Sequence, residues 1–410
     1  MQAGAEPFDQ DPRRWSRLVL VSVALLLAMS PWFAATAVAE ALTVRWELSP
    51  GAITALTTVV QIGFVVGTAL AALLNLADIW PSGRFFAGCA LLAAGVNVAL
   101  LVAPSYPVAL GLRFTTGVLL AGVYPPAMKM IATWFRSARG FAIGTVVGAL
   151  TIGKAAPYLL KALGGEGGAG PVLVGTSLAA LTAGLAIALF YDDGPYRFER
   201  RPFEWRRVGR VVAHRETRLA TAGYLGHMWE LYAGWLLVTP YFAAVLEARG
   251  FVEVEGPAAA WGFLVIAAGG PGALVAGVLA DRWGRERIAN AAMVVSGIGS
   301  LTLGWLVGAP VAVAAAVAVV WGAAIVADSA QFSAVVTEVA PPDAVGTALT
   351  LQTMLGFALT GVSMQWASRL VETAGWVPAL SLLALGPVAG IMAMRRLARL
   401  RRSAVADASR

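Results

Sequence analysis

An all-α membrane protein of twelve spanning helices, arranged as two six-helix halves, is what this sequence predicts, on three observations. Apolar runs of roughly 20 residues recur along the chain, each long enough at about 1.5 Å per residue to cross a hydrocarbon core near 30 Å thick. Of the 410 residues 59% are hydrophobic and 13% charged, with a mean hydropathy of +0.74, whereas a soluble chain carries about 25% charged residues. Finally, Leu76-Ala77-Asp78-Ile79-Trp80 after the second run returns as Leu279-Ala280-Asp281-Arg282-Trp283 after the eighth, and Gly140 opening the fifth corresponds to Gly346 opening the eleventh. Duplicated six-helix halves suit a transporter, because a central site between two rocking halves can be exposed to each side in turn.

The first span, 18–39, follows Arg13, Arg14 and Arg17 and ends in Ala37-Val38-Ala39, which imitates a signal peptide with its cleavage site. The run exceeds the usual signal core of about 7–15 residues, so it counts as a helix. Span two, 49–75, carries Thr54, Thr57 and Gln61 on one face, and span three, 84–103, encloses Cys89. With that single cysteine, no disulfide framework or cysteine metal site is available within one chain. Span four, 106–134, holds Arg113 and Lys129, and span five, 139–163, holds Lys154. Gly140, Gly144 and Gly148 at four-residue spacing read as helix packing. Gly148 to Ala155 nearly spells a phosphate-binding loop, but Ala155 replaces the required hydroxyl residue and the segment lies within a span.

Span six, 171–191, closes the first half. The stretch from Tyr191 to Arg218 holds eight arginines and no long apolar run, so the chain divides into 1–191, a linker at 192–217, a second half at 218–395 and a basic tail at 396–410. Span seven, 218–246, contains His227 and Glu230 three residues apart on one side of a helix. Spans eight and nine occupy 257–280 and 286–308, span ten, 310–337, contains Asp328, and span eleven, 344–370, lines up Gln352, Gly356 and Thr360 on one face. Span twelve is 376–395. Trp134, Trp261, Trp283 and Trp376 fall near span ends, as interfacial anchors do.

Lys and Arg number 23 on the side of the termini and 4 on the other, so the positive-inside rule puts both termini and the linker in the cytoplasm. The net charge of +7 is thereby a topology signal, and nucleic acid is not an expected partner.

Gly277-Val278-Leu279-Ala280-Asp281-Arg282-Trp283-Gly284-Arg285-Glu286-Arg287 resembles the helix 8–9 loop motif of the major facilitator superfamily, and Leu74-Asn75-Leu76-Ala77-Asp78 through Gly83-Arg84 resembles its copy between helices 2 and 3. The resemblance implies the major facilitator fold. It also implies that Asp78, Arg84, Asp281 and Arg285 work as conformational switch residues, with the Asp at a neighbouring helix N-terminus, where a carboxylate is favoured. Arg113-Phe114-Thr115-Thr116-Gly117 resembles a second motif of the family, whose Arg is linked to proton transfer in some members. Ala121-Gly122-Val123-Tyr124-Pro125-Pro126, Gly226-His227-Met228-Trp229-Glu230 and Ala327-Asp328-Ser329 look nearest to bacterial nitrate/nitrite and cyanate porters. Nitrate porters carry one intramembrane Arg on helix 2 and one on helix 8; neither span has one here, which argues against nitrate itself.

An ionisable group at mid-bilayer costs at least about 2.5–3.5 kcal/mol, so each one retained is a functional candidate. Arg113 and Lys154 lie at similar depths and could clamp one anion, with Gln61 and Gln352 as further substrate ligands; the bland alternative is that each cation snorkels or meets a carbonyl. Lys129 is near the inner end and can snorkel. Glu230, then Asp328, with His227, are the proton-coupling candidates, against the alternative of ion pairs with Arg113 or Lys154 that only hold the halves together. The expectation is a non-enzymatic secondary transporter of the bacterial inner membrane, a monomer without cofactor, moving a small anionic solute by proton symport. An exporter of hydrophobic compounds, suggested by the helix 4 motif, and a membrane sensor are the alternatives.

Overall fold

The computed structural model describes residues 11–74, 76–136, 138–164, 168–196 and 205–408, and these form helices and turns with no strand among them. Among the described residues eleven helices are long and apolar enough to span: α1 Arg13–Ala37, α2 Pro50–Leu73, α3 Ser82–Val102, α4 Tyr106–Ala132, α5 Gly140–Gly164, α6 Gly170–Phe190, α8 Glu255–Trp283, α9 Arg285–Leu306, α10 Val311–Val339, α11 Val345–Ala374 and α12 Trp376–Ser403. Between α6 and α8 stands α7, Arg215–Glu247, longer than any of these but poorer in aliphatic residues because Tyr224, His227, Trp229, Glu230, Tyr232 and Trp235 occupy its middle. Those polar and aromatic groups are affordable because α7 is enclosed by other helices along most of its length.

Helix also extends beyond the spans. The tail predicted at 396–410 continues the last helix without a break to Ala408, since Arg, Leu and Ala are good helix formers and no Gly or Pro interrupts them. The linker contains a nine-residue helix, Trp205–Ala213, whose Val211 is buried. Trp134 also departs from its expected place: it is 2% exposed and donates its indole N–H to the Asp192 carbonyl, inside the protein instead of at the lipid interface.

Small residues set the helix spacing, because lipid offers no hydrophobic drive and close backbone approach must supply the contact. A Cβ on Gly67 would lie 2.6 Å from the Val118 carbonyl oxygen, and one on Gly117 would lie 2.1 Å from that of Val60, so α2 and α4 touch backbone to backbone. In the second half Gly272 meets the Ala323 oxygen at 2.2 Å and Gly322 meets the Val265 oxygen at 2.1 Å, joining α8 to α10. Each residue of the second set lies 205 positions after its counterpart, so the duplication extends to individual packing contacts. Across the halves, Gly148 of α5 faces Gly270 of α8, with a Cβ there 3.0 Å from the Gly270 oxygen.

The two halves also meet along α2 and α11. Thr54 and Ser368 hydroxyls lie 2.8 Å apart, Gln365 donates to Thr58 at 3.3 Å, and Phe64 and Phe357 rings lie 4.4 Å apart. These contacts lie on the side away from the arginine-rich face and at mid-depth. Lys161 and Glu255, 2.6 Å apart, tie α5 to α8 on that same far side.

Candidate functional site

The site begins with Pro31. A proline inside an apolar helix removes one N–H and crowds the preceding turn, and here Ser30–Phe33 tightens into a 3-10 turn. Carbonyls freed in such a break need donors, since an unpaired one is costly away from water. Arg113 of α4 supplies them: its Nη1 donates to Pro31 O at 2.9 Å, Nη2 to Trp32 O at 2.5 Å and Nε to Leu56 O at 3.4 Å, with Asn97 Oδ1 at 3.5 Å from Nη1.

The break aims two fully buried rings, Trp32 and Phe33, at the other half. Trp32 lies 5.8 Å from Tyr232 and 5.7 Å from Phe357, and Phe33 lies 6.2 Å from Tyr232 and 6.1 Å from Trp235. With Phe64 on Phe357, three rings of the first half close on three of the second.

Lys154 of α5 enters this cluster from the side. Its Nζ is 4.0 Å from the centre of the Trp32 ring, 4.7 Å from Tyr232, 5.7 Å from Trp235 and 5.8 Å from Phe357, and it donates to the Tyr232 hydroxyl. Ring faces attract a cation at such distances. Among the described residues no carboxylate pairs with it, although the side chain is only 1% exposed. The pairing suggested by sequence, with Arg113 and Lys154 facing one anion, is therefore not the arrangement found. Arg113 is held by backbone carbonyls, the alternative weighed above, and Trp32 is shared between the two cations, its carbonyl by one and its ring by the other.

Gln61 and Gln352 are 0% and 1% exposed, and neither amide nitrogen nor amide oxygen of either has a hydrogen-bond partner among the described residues. Gln61 precedes Phe64 by three residues and Gln352 precedes Phe357 by five, on helices running in opposite directions. At about 1.5 Å per residue the two amides stand roughly 5 Å above and 7 Å below the ring pair. Two orphaned amides thus bracket the aromatic cluster along the membrane normal.

The acidic candidates lie elsewhere, all in the second half. Glu230 accepts from Ser296 at 2.8 Å on one oxygen, and from Ser300 at 2.6 Å and the Trp321 indole at 3.3 Å on the other. It faces α9 and α10, whereas His227, one turn earlier, has its Nδ1 2.7 Å from Asp328 Oδ1. Asp328 stands where α10 breaks between Ala327 and Ser329, and His227 Nε2 has no partner among the described residues. Neither carboxylate pairs with Arg113 or Lys154, so the alternative of ion pairs bridging the halves does not occur here.

Of the switch residues, the Asp281 carboxylate lies against the first turn of α5, where a Cβ on Gly140 would be 2.5 Å from its Oδ2. Arg285 is 3.7 Å from Asp281 and donates to Glu338 at 2.8 Å, and Arg401 joins Glu338 at 3.3 Å to Glu286 at 2.5 Å. Arg84 is exposed, and the side chain of Asp78 lies outside the described residues. Sequence reading missed the six rings and the Glu230 donors Ser296, Ser300 and Trp321. The available signal was Pro31 directly before Trp32-Phe33, since a helix break in a span exposes whatever adjoins it.

The family model described as Major Facilitator Superfamily matches residues 20–364. Among solved structures, the nucleoside transporter NupG is similar over 93% of this chain and 99% of its own, at 13% identity and a TM-score of 0.71. A bacterial homolog of the human lysosomal transporter Spinster, inward-facing and occupied, is similar over 97% and 98% at 15% identity and 0.68; its unoccupied form scores 0.63 over 96% and 94%. No protein of curated function matches the sequence.

Proposed function

The chain belongs to the major facilitator superfamily and by that membership is a secondary transporter, and from this we propose that its solute is a small organic anion bound at Lys154 between the two halves. One observation carries the reading: a fully buried ammonium group, surrounded by rings and one phenol hydroxyl, with no carboxylate beside it among the described residues. Removing a charge from water without a counter-ion is expensive, and an arriving anion supplies that counter-ion only when bound. Gln61 and Gln352, each with an unused amide, are the polar groups a solute meets on either side of the cluster. Arg113 supports the site by holding the α1 break in shape.

Proton coupling belongs to Glu230 with Asp328 and His227. These groups take up and release a proton inside the second half, separate from the solute, and so bias its packing against the first. The arginine-rich face is cytoplasmic, with both termini, in a bacterial inner membrane, and the working unit is a monomer. Asp281 at the α5 N-terminus, with Arg285 on Glu338, latches the cytoplasmic side.

Uptake of labelled organic anions into proteoliposomes, with and without an imposed pH gradient, tests both parts. Lys154→Gln abolishes uptake of every anion. Glu230→Gln keeps solute exchange across the bilayer but loses gradient-driven accumulation. Unchanged accumulation in Glu230→Gln ends the coupling assignment, and Lys154-independent uptake ends the anion assignment.

A further inference from the structure

The aromatic cluster narrows the solute further. Every ring contact that closes the site between Trp32, Phe33 and Phe64 on one side and Tyr232, Trp235 and Phe357 on the other crosses the boundary between the halves. When the halves rock apart, as alternating access requires, these contacts part together. Each wall then presents ring faces with no partner, and Lys154 loses the Tyr232 hydroxyl and the second-half rings while keeping Trp32.

A solute favours the closed, loaded state only as far as its contacts there exceed those it displaces. An anion without a ring offers Lys154 a counter-ion but nothing to replace ring-on-ring contacts. A flat aromatic group substitutes for them on both its faces, and a carboxylate attached to it reaches the ammonium group among the same rings. Among the described residues Lys154 is the one cation whose charged group meets these ring faces, since the Arg113 guanidinium is taken up by the Pro31 and Trp32 backbone carbonyls, and this suits a single negative charge. Resting on the anion reading above, we propose that the solute class is an aromatic monocarboxylate: one carboxylate on Lys154, one ring held between Trp32 and Phe33 of the first half and Tyr232 and Phe357 of the second, with Gln61 and Gln352 meeting polar ring substituents.

The test is isothermal titration of the purified full-length protein with matched probes: benzoate against cyclohexanecarboxylate, phenylacetate against cyclohexylacetate, and acetate and oxalate as ring-free anions. The aromatic member of each pair binds at least about tenfold tighter than its saturated counterpart, and the ring-free anions bind more weakly still. Phe357→Leu keeps apolar bulk but removes a ring, and brings the aromatic-to-saturated ratio to within about threefold. Tyr232→Phe keeps the ring, preserves that ratio, and guards against reading misfolding as lost selectivity; both variants are checked for a cooperative thermal transition. Equal binding of saturated and aromatic acids, tighter binding of oxalate or acetate, or no binding of either aromatic probe overturns the aromatic assignment. If the saturated or ring-free acids bind and Lys154→Gln removes that binding, the anion reading survives alone. Binding that Lys154→Gln leaves intact removes both.

Discussion

Arg113 and Lys154 are both buried cations on neighbouring helices, yet their partners differ in kind. Arg113 has a fork of donors that matches several carbonyls at once, so it suits repair of a broken helix, whereas Lys154 is a point charge on a flexible stem. Arg113→Ala therefore leaves the Pro31, Trp32 and Leu56 carbonyls without donors and lowers stability by about 2–5 kcal/mol, read as a fall in thermal unfolding temperature. Arg113→Lys recovers part of that loss, because one ammonium group reaches fewer of the three. A variant as stable as the parent would assign Arg113 a different task. Lys154→Gln behaves differently: it removes solute binding and leaves a folded protein, since no backbone group depends on Lys154.

Helix pairs in this fold are spaced by glycine. Gly117→Ala and Gly322→Ala place a methyl group 2.1 Å from a carbonyl oxygen, so α2 must move from α4 and α8 from α10, at a cost of about 1–3 kcal/mol each. Gly88→Ala and Gly95→Ala, where an added Cβ meets nothing within 4 Å, leave thermal stability unchanged or raise it slightly. Equal effects at all four positions would refute the backbone-contact account. Gly117 is also the glycine of the helix 4 motif, which explains its spacing from Arg113: one turn apart, Arg113 reaches α1 and α2 carbonyls while Gly117 admits α2. Outside the membrane, the linker helix is tied to the α10–α11 loop by Arg210 on Asp343. The hydrogen bond and charge of Arg210 hold the Asp343 carboxyl below its usual value. A depressed carboxylate contributes stability above its unfolded pKa of about 3.9 and loses it as pH falls through the lower folded value. Asp343→Asn removes that acid-side dependence, measurable as a flatter unfolding temperature between neutral pH and acid; the pair is exposed, so the effect is small.

The halves are joined on both sides of the membrane at once. Thr54 with Ser368 and Lys161 with Glu255 close the far side, and Asp281 on the α5 N-terminus closes the arginine-rich side. Alternating access requires these ties to break in turn. Thr54→Cys with Ser368→Cys, in a Cys89→Ser background that leaves no other thiol, forms a disulfide on oxidation and stops solute uptake into proteoliposomes; reductant restores it. Uptake that continues with the disulfide formed would show that α2 and α11 need not separate.

The all-helical membrane fold and the duplication were legible in the sequence, because a bilayer permits few solutions: a span must be long, apolar and internally hydrogen-bonded. The buried charges were legible too, since any ionisable residue in such a run stands out. Their partners were not. Whether Arg113 faced solute or carbonyl depended on where Pro31 bent α1, and whether Glu230 turned to the interface or to Ser296 and Ser300 depended on the rotation of α7 among its neighbours. The aromatic cluster around Lys154 was equally hidden, for Trp32, Tyr232 and Phe357 lie far apart in the chain and resemble any apolar span residue until the two halves are brought together. Hydrophobicity acts on each segment alone and is read locally, whereas a binding site is made by side chains from several segments, and only their packing brings them into contact.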